Sequence, residues 1–369
     1  MISPPAKIFL PILFILFSFT ISNAQTPTPI PDEDTEKVFT EEIKLNINAF
    51  DEDGKFVSDV KKEDLVIMED ARIHQASSIR RIPANVLIVM DTGGEMRQTK
   101  SLNQTRATAK SLIAALNAED SVAIMQYNDK AEIIAEWTND KAEASRILNT
   151  KANFGRRSVF VNALETATKF LQKTPLDNRH LVLITDGTDS INSLTERDAA
   201  MKNLLSTDIN VHVISYTQME LADIEPRTKG KTKTSLPSAM PPEVVATMPE
   251  GVRDMMRARG TGIIINTDKE FLKKMRERKT SLIESEKYLN AVSMDTNGVF
   301  VAPESKEEMV DKTAFVARFI DSSYVVTYVP KRSLKESKSG EVRNIEVSSR
   351  RPNLEVQARR KLVVLDAKK

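Results

Sequence analysis

The sequence predicts an α/β protein built on a doubly wound, mainly parallel sheet, flanked by N- and C-terminal β segments. Three observations carry this. "VLIVM" (residues 86–90) is a continuous apolar run, as a strand covered on both faces must be, and "HLVLITD" (180–186) reads as another strand. Between such runs apolar residues recur at three- and four-residue steps, the period of an amphipathic helix. Both runs lead into an aspartate, Asp91 and Asp186, at the carboxyl end of a strand, where sheets of this kind bind their ligands.

Taken in order, Lys7 leads into "IFLPILFILFSFTIS", and Ser22-Asn23-Ala24 places small residues before Gln25. A charged start, an apolar run and a small-residue cleavage site predict a secretory signal peptide over 1–24. The mature protein is then expected to be exported, to the periplasm or as a secreted protein, with no stable membrane insertion after cleavage. Residues 25–35 are rich in Pro and acids, a linker composition. In residues 36–82, Ile43, Leu45, Ile47 and Ala49 alternate with Lys44, Asn46 and Asn48, the pattern of a half-buried strand. "DEDGK" turns at Gly54, and "DLVIMED" is a second strand.

Residues 83–320 hold the α/β alternation. After "VLIVM", Leu102, Ala109, Leu112, Ile113 and Leu116 mark a helix. "SVAIMQY" and "AEIIAEW" read as a hairpin around Asn128-Asp129-Lys130. Phe160, Ala163, Leu164, Ala167, Phe170 and Leu171 form the next helical stripe, beginning at Ser158; "HLVLITD" and "INVHVISY" then flank a helix near 195–206. Residues 217–285 interrupt the alternation and read as an insertion, a mobile surface segment over 226–242, with a helix in "EFLKKMRERKTSLIESEKYLNAV" that belongs partly to the domain. "NGVFVAP" is a last short strand before a helix in "SKEEMVDKTAFVARFIDSS". Residues 321–369 return to strands with "YVVTYVP", "RNIEVSSR" and "KLVVLD".

Composition narrows the chemistry. The absence of Cys excludes disulfides and thiolate metal sites, so the fold must hold by packing. A net charge of +1, which loses Lys7 with the signal, favours no nucleic-acid partner. Charge is nevertheless uneven: residues 32–72 carry fourteen acids against six bases, and residues 331–369 twelve bases against five acids. Opposite signs and a shared strand pattern predict that the two β segments pack together as one module.

"DTGGEM" at 91–96 contains the Asp-Thr-Gly of an aspartic protease, but a pepsin-like chain needs that turn twice and "TDG" at 185–187 has another order. There is no G-x-S-x-G, no P-loop and, among three histidines, no H-E-x-x-H. His212, inside "VHVIS", reads as a satisfied core or edge histidine; His74 and His180 have no partner that spacing reveals. The expectation is a non-enzymatic protein, and a hydrolase built on Asp91 and Asp186 is the weakest alternative because nucleophile and base are missing.

"VLIVMDTGGEM", "NFGRRSVFVNALETA" and "HLVLITDGTDS" together resemble the three metal loops of the von Willebrand factor type A family, a Rossmann-like fold, over residues 86–216 and again over 286–320. The flanks resemble its bacterial subgroup described from Acidobacteria. The resemblance implies Mg²⁺ or Mn²⁺ held by Asp-x-Ser-x-Ser, a Thr and an Asp, with one position left for an acidic residue of a partner. Carried over, Asp91 and Asp186 match and Ser158 keeps the hydroxyl of the Thr, while Gly93 and Glu95 replace the two serines.

Three arrangements are open. Glu95 joins Asp91 and Asp186 around a weakly held Mg²⁺ or Mn²⁺; Arg156 or Arg157 takes the ion's electrostatic role; or Ser158 caps its helix and no cofactor is bound. All three place the binding of an unidentified protein partner at the loop edge around Asp91, Ser158 and Asp186. A metal-dependent adhesin that meets an acidic partner residue through Mg²⁺ or Mn²⁺ is the alternative to a degenerate, metal-free site.

Overall fold

The computed structural model describes residues 41–94, 101–173, 175–191, 194–229, 231–234, 262–265 and 268–365. The expected signal peptide and linker, Glu95 and residues 235–261 of the insertion lie outside them. The N-terminal segment forms β1 (Ile43–Phe50), β2 (Leu65–Glu69), β3 (Arg72–His74) and β4 (Ala76–Arg80). The alternating domain follows with β5 (Asn85–Asp91), α1 (Leu102–Ala115), β6 (Ser121–Tyr127), β7 (Ala131–Thr138), α2 (Lys141–Lys151), α3 (Phe160–Lys173), β8 (Arg179–Thr185), α4 (Leu194–Leu205), β9 (Asn210–Ser215) and α5 (Thr217–Ile224). A two-stranded ribbon pairs β10 (Lys231–Thr234) with β11 (Gly262–Ile265). Then come α6 (Lys269–Asp295), β12 (Phe300–Val301), α7 (Lys306–Asp321), β13 (Ser323–Tyr328), β14 (Glu341–Ser349), β15 (Glu355–Ala358) and β16 (Lys361–Val364).

The central sheet has the order β12-β9-β8-β5-β6-β7, parallel throughout except for edge strand β7. Successive residues of β5 face opposite sides: Val86, Ile88 and Met90 pack with α1, α2 and α7, and Leu87 and Val89 with α3, α4 and α6. All seven residues of β5 are buried, which accounts for its continuous apolar run. Helices on both faces leave the carboxyl ends of β5 and β8 as the natural site edge.

The two β segments interleave: one sheet runs β15-β1-β13-β4 and the other β16-β14-β2-β3. Between them lie Leu45, Ile47, Ile67, Val326 and Val347. Arg343, fully buried, donates to Glu69 at 2.5 Å and to the Ser333 carbonyl at 2.8 Å, so its charge is paired within this core. Arg359 donates to the carbonyls of Leu205 and Thr207, satisfying groups at and just beyond the end of α4 that the helix itself cannot.

The interruption at 217–285 is smaller than its composition suggests. The residues from 269 onward belong to α6, a 27-residue helix whose Leu282, Leu289 and Val292 are core, and its Asp268 caps the first turn by accepting from Glu270 and Phe271 N–H. Its lysines and arginines mask this stripe in the sequence. Among the described residues no helix is long and apolar enough to cross a membrane.

A polar chain crosses the buried amino-terminal half of the sheet. Val299 N–H donates to His212 Nδ1 at 3.3 Å, which leaves His212 Nε2–H to donate to His180 Nδ1 at 2.9 Å. His180 Nε2–H then donates to Asn178 Oδ1 at 2.9 Å, and Asn178 donates to the Ile82 carbonyl at 2.9 Å. Each acceptor fixes the next tautomer, so both rings are neutral. Of the two readings open from sequence, core or edge, His212 is a satisfied core histidine, and His180 is its partner.

Candidate functional site

Asp91 ends β5 and Asp186 follows β8, so neighbouring parallel strands bring the first and third loops together. The second loop is tied to both. Gly155 N–H donates to the Thr92 carbonyl at 3.2 Å, and Ser190 N–H to the Ser158 carbonyl at 2.8 Å. Asp91, Ser158 and Asp186, the three residues carried over from sequence, are all buried at this edge.

Ser158 does not cap α3. Its hydroxyl donates to Asp91 Oδ1 at 2.7 Å, and the same oxygen accepts the Gly93 N–H at 3.0 Å. The first turn of α3 takes its acceptor from the third loop, where Asp189 Oδ2 receives the Val161 N–H at 2.8 Å.

Asp186 is 1% exposed. Its Oδ1 accepts from Thr188 N–H at 2.8 Å and the Thr188 hydroxyl at 2.6 Å; its Oδ2 accepts from Arg278 Nη2 at 2.9 Å. The same Nη2 reaches Glu220 Oε2 of α5 at 2.8 Å, and Nη1 donates to Thr188 Oγ1 at 2.8 Å. Burial works against the Arg278 charge, but Asp186 and Glu220 outweigh it and hold its pKa above the ordinary value. Burial, with the fields of Asp91 and Asp186, pushes the neighbouring Tyr127 phenol well up, so it stays a neutral hydroxyl bonded to Thr185 at 2.5 Å.

Among the described residues the guanidinium at Asp186 and Glu220 is therefore that of Arg278, not of Arg156 or Arg157. Those two are exposed; their backbone N–H groups donate to the Asp129 carboxylate at 3.1 and 3.2 Å, and among the described residues neither side chain has an ion-pair partner. Glu95, the proposed replacement ligand, lies outside the described residues.

Arg278 and Glu220 were not singled out by sequence, although one signal was present. Arg278, Leu282, Ser285, Leu289 and Val292 follow at steps of four, three, four and three, and the last four are buried. The arginine continues a core stripe. Ser285 donates to the Asp186 carbonyl at 2.5 Å, and Gly187, at φ +68°, leaves the space beside Ser285 and Leu289 that a Cβ would fill.

Mg²⁺ requires near-octahedral oxygen coordination at about 2.0–2.1 Å. The described groups do not fit it. Gly93 offers no hydroxyl where the family has serine, and a guanidinium stands on Asp186 Oδ2. Among the described residues no set of three His, Asp or Glu side chains is arranged to hold an ion. Nor is there room to restore the serine: a Cβ on Gly93 would overlap the Arg157 carbonyl and press on Asn128 Cα, both backbone. Gly93→Ser is accordingly expected to cost about 1–3 kcal/mol in urea denaturation and to bring no Mn²⁺-dependent rise in melting temperature. A serine variant of native stability that gains such a rise would contradict this geometry.

Residues 86–188 match the family model of the von Willebrand factor type A domain. Solved structures of similar fold include an aerotolerance-related membrane protein from Bacteroides fragilis, at 15% identity over 64% of this chain and 98% of that one, TM-score 0.38. BatB from Bacteroides thetaiotaomicron gives 15%, the same coverages and TM-score 0.36. A von Willebrand factor type A protein from Catenulispora acidiphila gives 9% over 89% of this chain and 76% of that one, TM-score 0.41. No curated protein matches the chain. None of these matches identifies the Acidobacteria-type subgroup.

Proposed function

We propose, from a chain whose residues 86–188 match the von Willebrand factor type A domain model, that it is an exported, non-enzymatic protein-binding module with a degenerate ion site. One observation carries the reading: the acids at the loop edge face inward to internal donors, while cations and apolar groups face solvent around them. Phe154 is 43% and Ile191 56% exposed, and Arg156 and Arg157 stand beside Ser158 on a loop pinned to Asp129. Such a rim suits a protein segment that pairs acidic with apolar side chains. Export is supported by the sequence of residues 7–24, and a hydrolytic role finds little support because His74, His180 and His212 are all engaged away from this edge.

A second reading has one observation in its favour. Two buried carboxylates, Asp186 and Glu220, share the Arg278 guanidinium, and a third, Asp91, lies at the same loop edge, so the acidic residues that the family's ion site uses in its first and third loops are both present. Peptide display against the purified mature protein in EDTA separates the two. The metal-free reading expects ligands enriched in Asp or Glu next to aromatic or aliphatic residues, with affinity reduced roughly tenfold or more by Arg156→Glu with Arg157→Glu. Ligands that bind only with Mg²⁺ or Mn²⁺ would favour the adhesin, and ligands indifferent to both charge reversals would remove the rim from the account.

A further inference from the structure

We propose that the Arg278 guanidinium is the resident cation of this domain, delivered by α6 to the position from which an ion would otherwise act on the third-loop aspartate. The inference rests on the degenerate-site reading and deepens it by naming what replaced the ion. It is independent of who the partner is.

The placement is over-determined. Asp186, Thr188 and Glu220 accept the two terminal nitrogens of Arg278 at 2.8–2.9 Å, from two different elements. The helix that carries it is fixed at the same loop by Ser285 on the Asp186 carbonyl and by Leu289 against Gly187. It is also fixed to α5: Glu286 of α6 accepts from Gln218 at 2.8 Å and from the Thr217 hydroxyl at 2.5 Å. A flexible surface arginine would lose side-chain entropy on reaching two acids. Here helix packing has already spent most of it, and the planar fork matches acceptors spread around it, which a lysine point charge does not.

The chemistry of the donor set agrees. A guanidinium gives hydrogen bonds and one delocalised positive charge, and asks for acceptors in its own plane. It does not need the hydroxyl that Gly93 lacks, nor a short octahedral shell. Collapse of Gly93 onto the Arg157 carbonyl and entry of Arg278 at Asp186 are thus two halves of one arrangement, one removing the ion's ligands and the other supplying charge. A tethered cation does not dissociate, so the loop edge would hold its shape in the presence of chelators and at any divalent concentration.

Thermal melts of the mature protein test this without any partner, so a failure here is distinct from a failure of peptide binding. The wild type is expected to melt at the same temperature in EDTA and in millimolar Mn²⁺. Arg278→Ala should melt lower by roughly 5–15 °C in EDTA, and the vacated acids should then take Mn²⁺. Saturating metal would recover a large part of the loss, and Asp186→Asn in the same background should abolish that recovery. If Arg278→Ala does not fold, Arg278→Lys against Arg278→Gln decides: the lysine variant should be clearly the more stable, since it keeps the charge. A wild type stabilised by Mn²⁺, an alanine variant that melts like wild type, or lysine and glutamine variants of equal stability would each overturn the proposal.

Discussion

Asp186→Ala, measured by urea denaturation in EDTA, is expected to destabilise the protein by about 3–5 kcal/mol, because it leaves a largely buried guanidinium with an incomplete set of partners. Among the described residues, three bonds go with the carboxylate, two from Thr188 and one from Arg278, and Glu220 remains to face the charge. Asp186→Asn should cost less, since its amide oxygen can still accept from Thr188 N–H. The sign is the informative part. In an ion site stripped of its ion, neighbouring carboxylates repel, and removing one relieves the repulsion. Such a site would make Asp186→Ala neutral or stabilising in EDTA. A site closed by Arg278 makes it strongly destabilising, so stabilisation by this substitution would argue against the arginine account.

The second large effect is on acid stability. Burial holds His180 down to about 3, and burial together with His180 holds His212 well below the ordinary imidazole range. Both rings are neutral in the fold, whereas in the unfolded chain each takes a proton near 6.5. As pH falls below that value the unfolded state binds two protons that the folded state refuses, so stability present at neutral pH drains away on acidification. Between pH 7 and pH 5, above most carboxylate titration, the loss should be roughly 4 kcal/mol for the pair. His180→Gln or His212→Gln should cut the pH slope by about half, whatever each does to stability at pH 7. Variants that keep the full wild-type slope would show that these rings are not what titrates.

The sequence made the sheet legible because strands covered on both faces leave a simple trace. "VLIVM" and "LVLI" are buried along their whole length and contain no polar residue, and each leads within two residues to an aspartate at the site edge. Asp91, Ser158 and Asp186 could be placed together for the same reason. Helix α2 left a weaker trace, since only Ala144 and Leu148 of its eleven residues are buried. The β module was readable as alternation and charge, but its interleaved order depends on pairings such as Ile345 with Glu69, whose separation in the chain no local pattern encodes.

Arg278 is the instructive miss. It lies in "KKMRERK", where every base reads as solvated, and 92 residues separate it from Asp186. The apolar stripe that ends at Leu282 points four residues back to it, yet a charged residue on such a stripe is recognised as meaningful only when its partners are known. Arg156 and Arg157 drew attention because they adjoin Ser158 in sequence; adjacency along the chain is a poor guide to which cation fills a buried position. Glu220 was hidden in the same way, inside a segment that read as an interruption of the fold.

The central claim is that this loop edge is closed by a side chain and not by an ion. The most direct measurement is a crystal structure of the mature protein grown in manganese chloride, with anomalous data collected at the manganese edge. The account predicts Arg278 on Asp186 and Glu220, Ser158 on Asp91, and no anomalous peak between the two aspartates. A peak bridging Asp91, Ser158 and Asp186, with Arg278 swung away or Glu95 among the ligands, would contradict it and make the protein a metal-dependent binder.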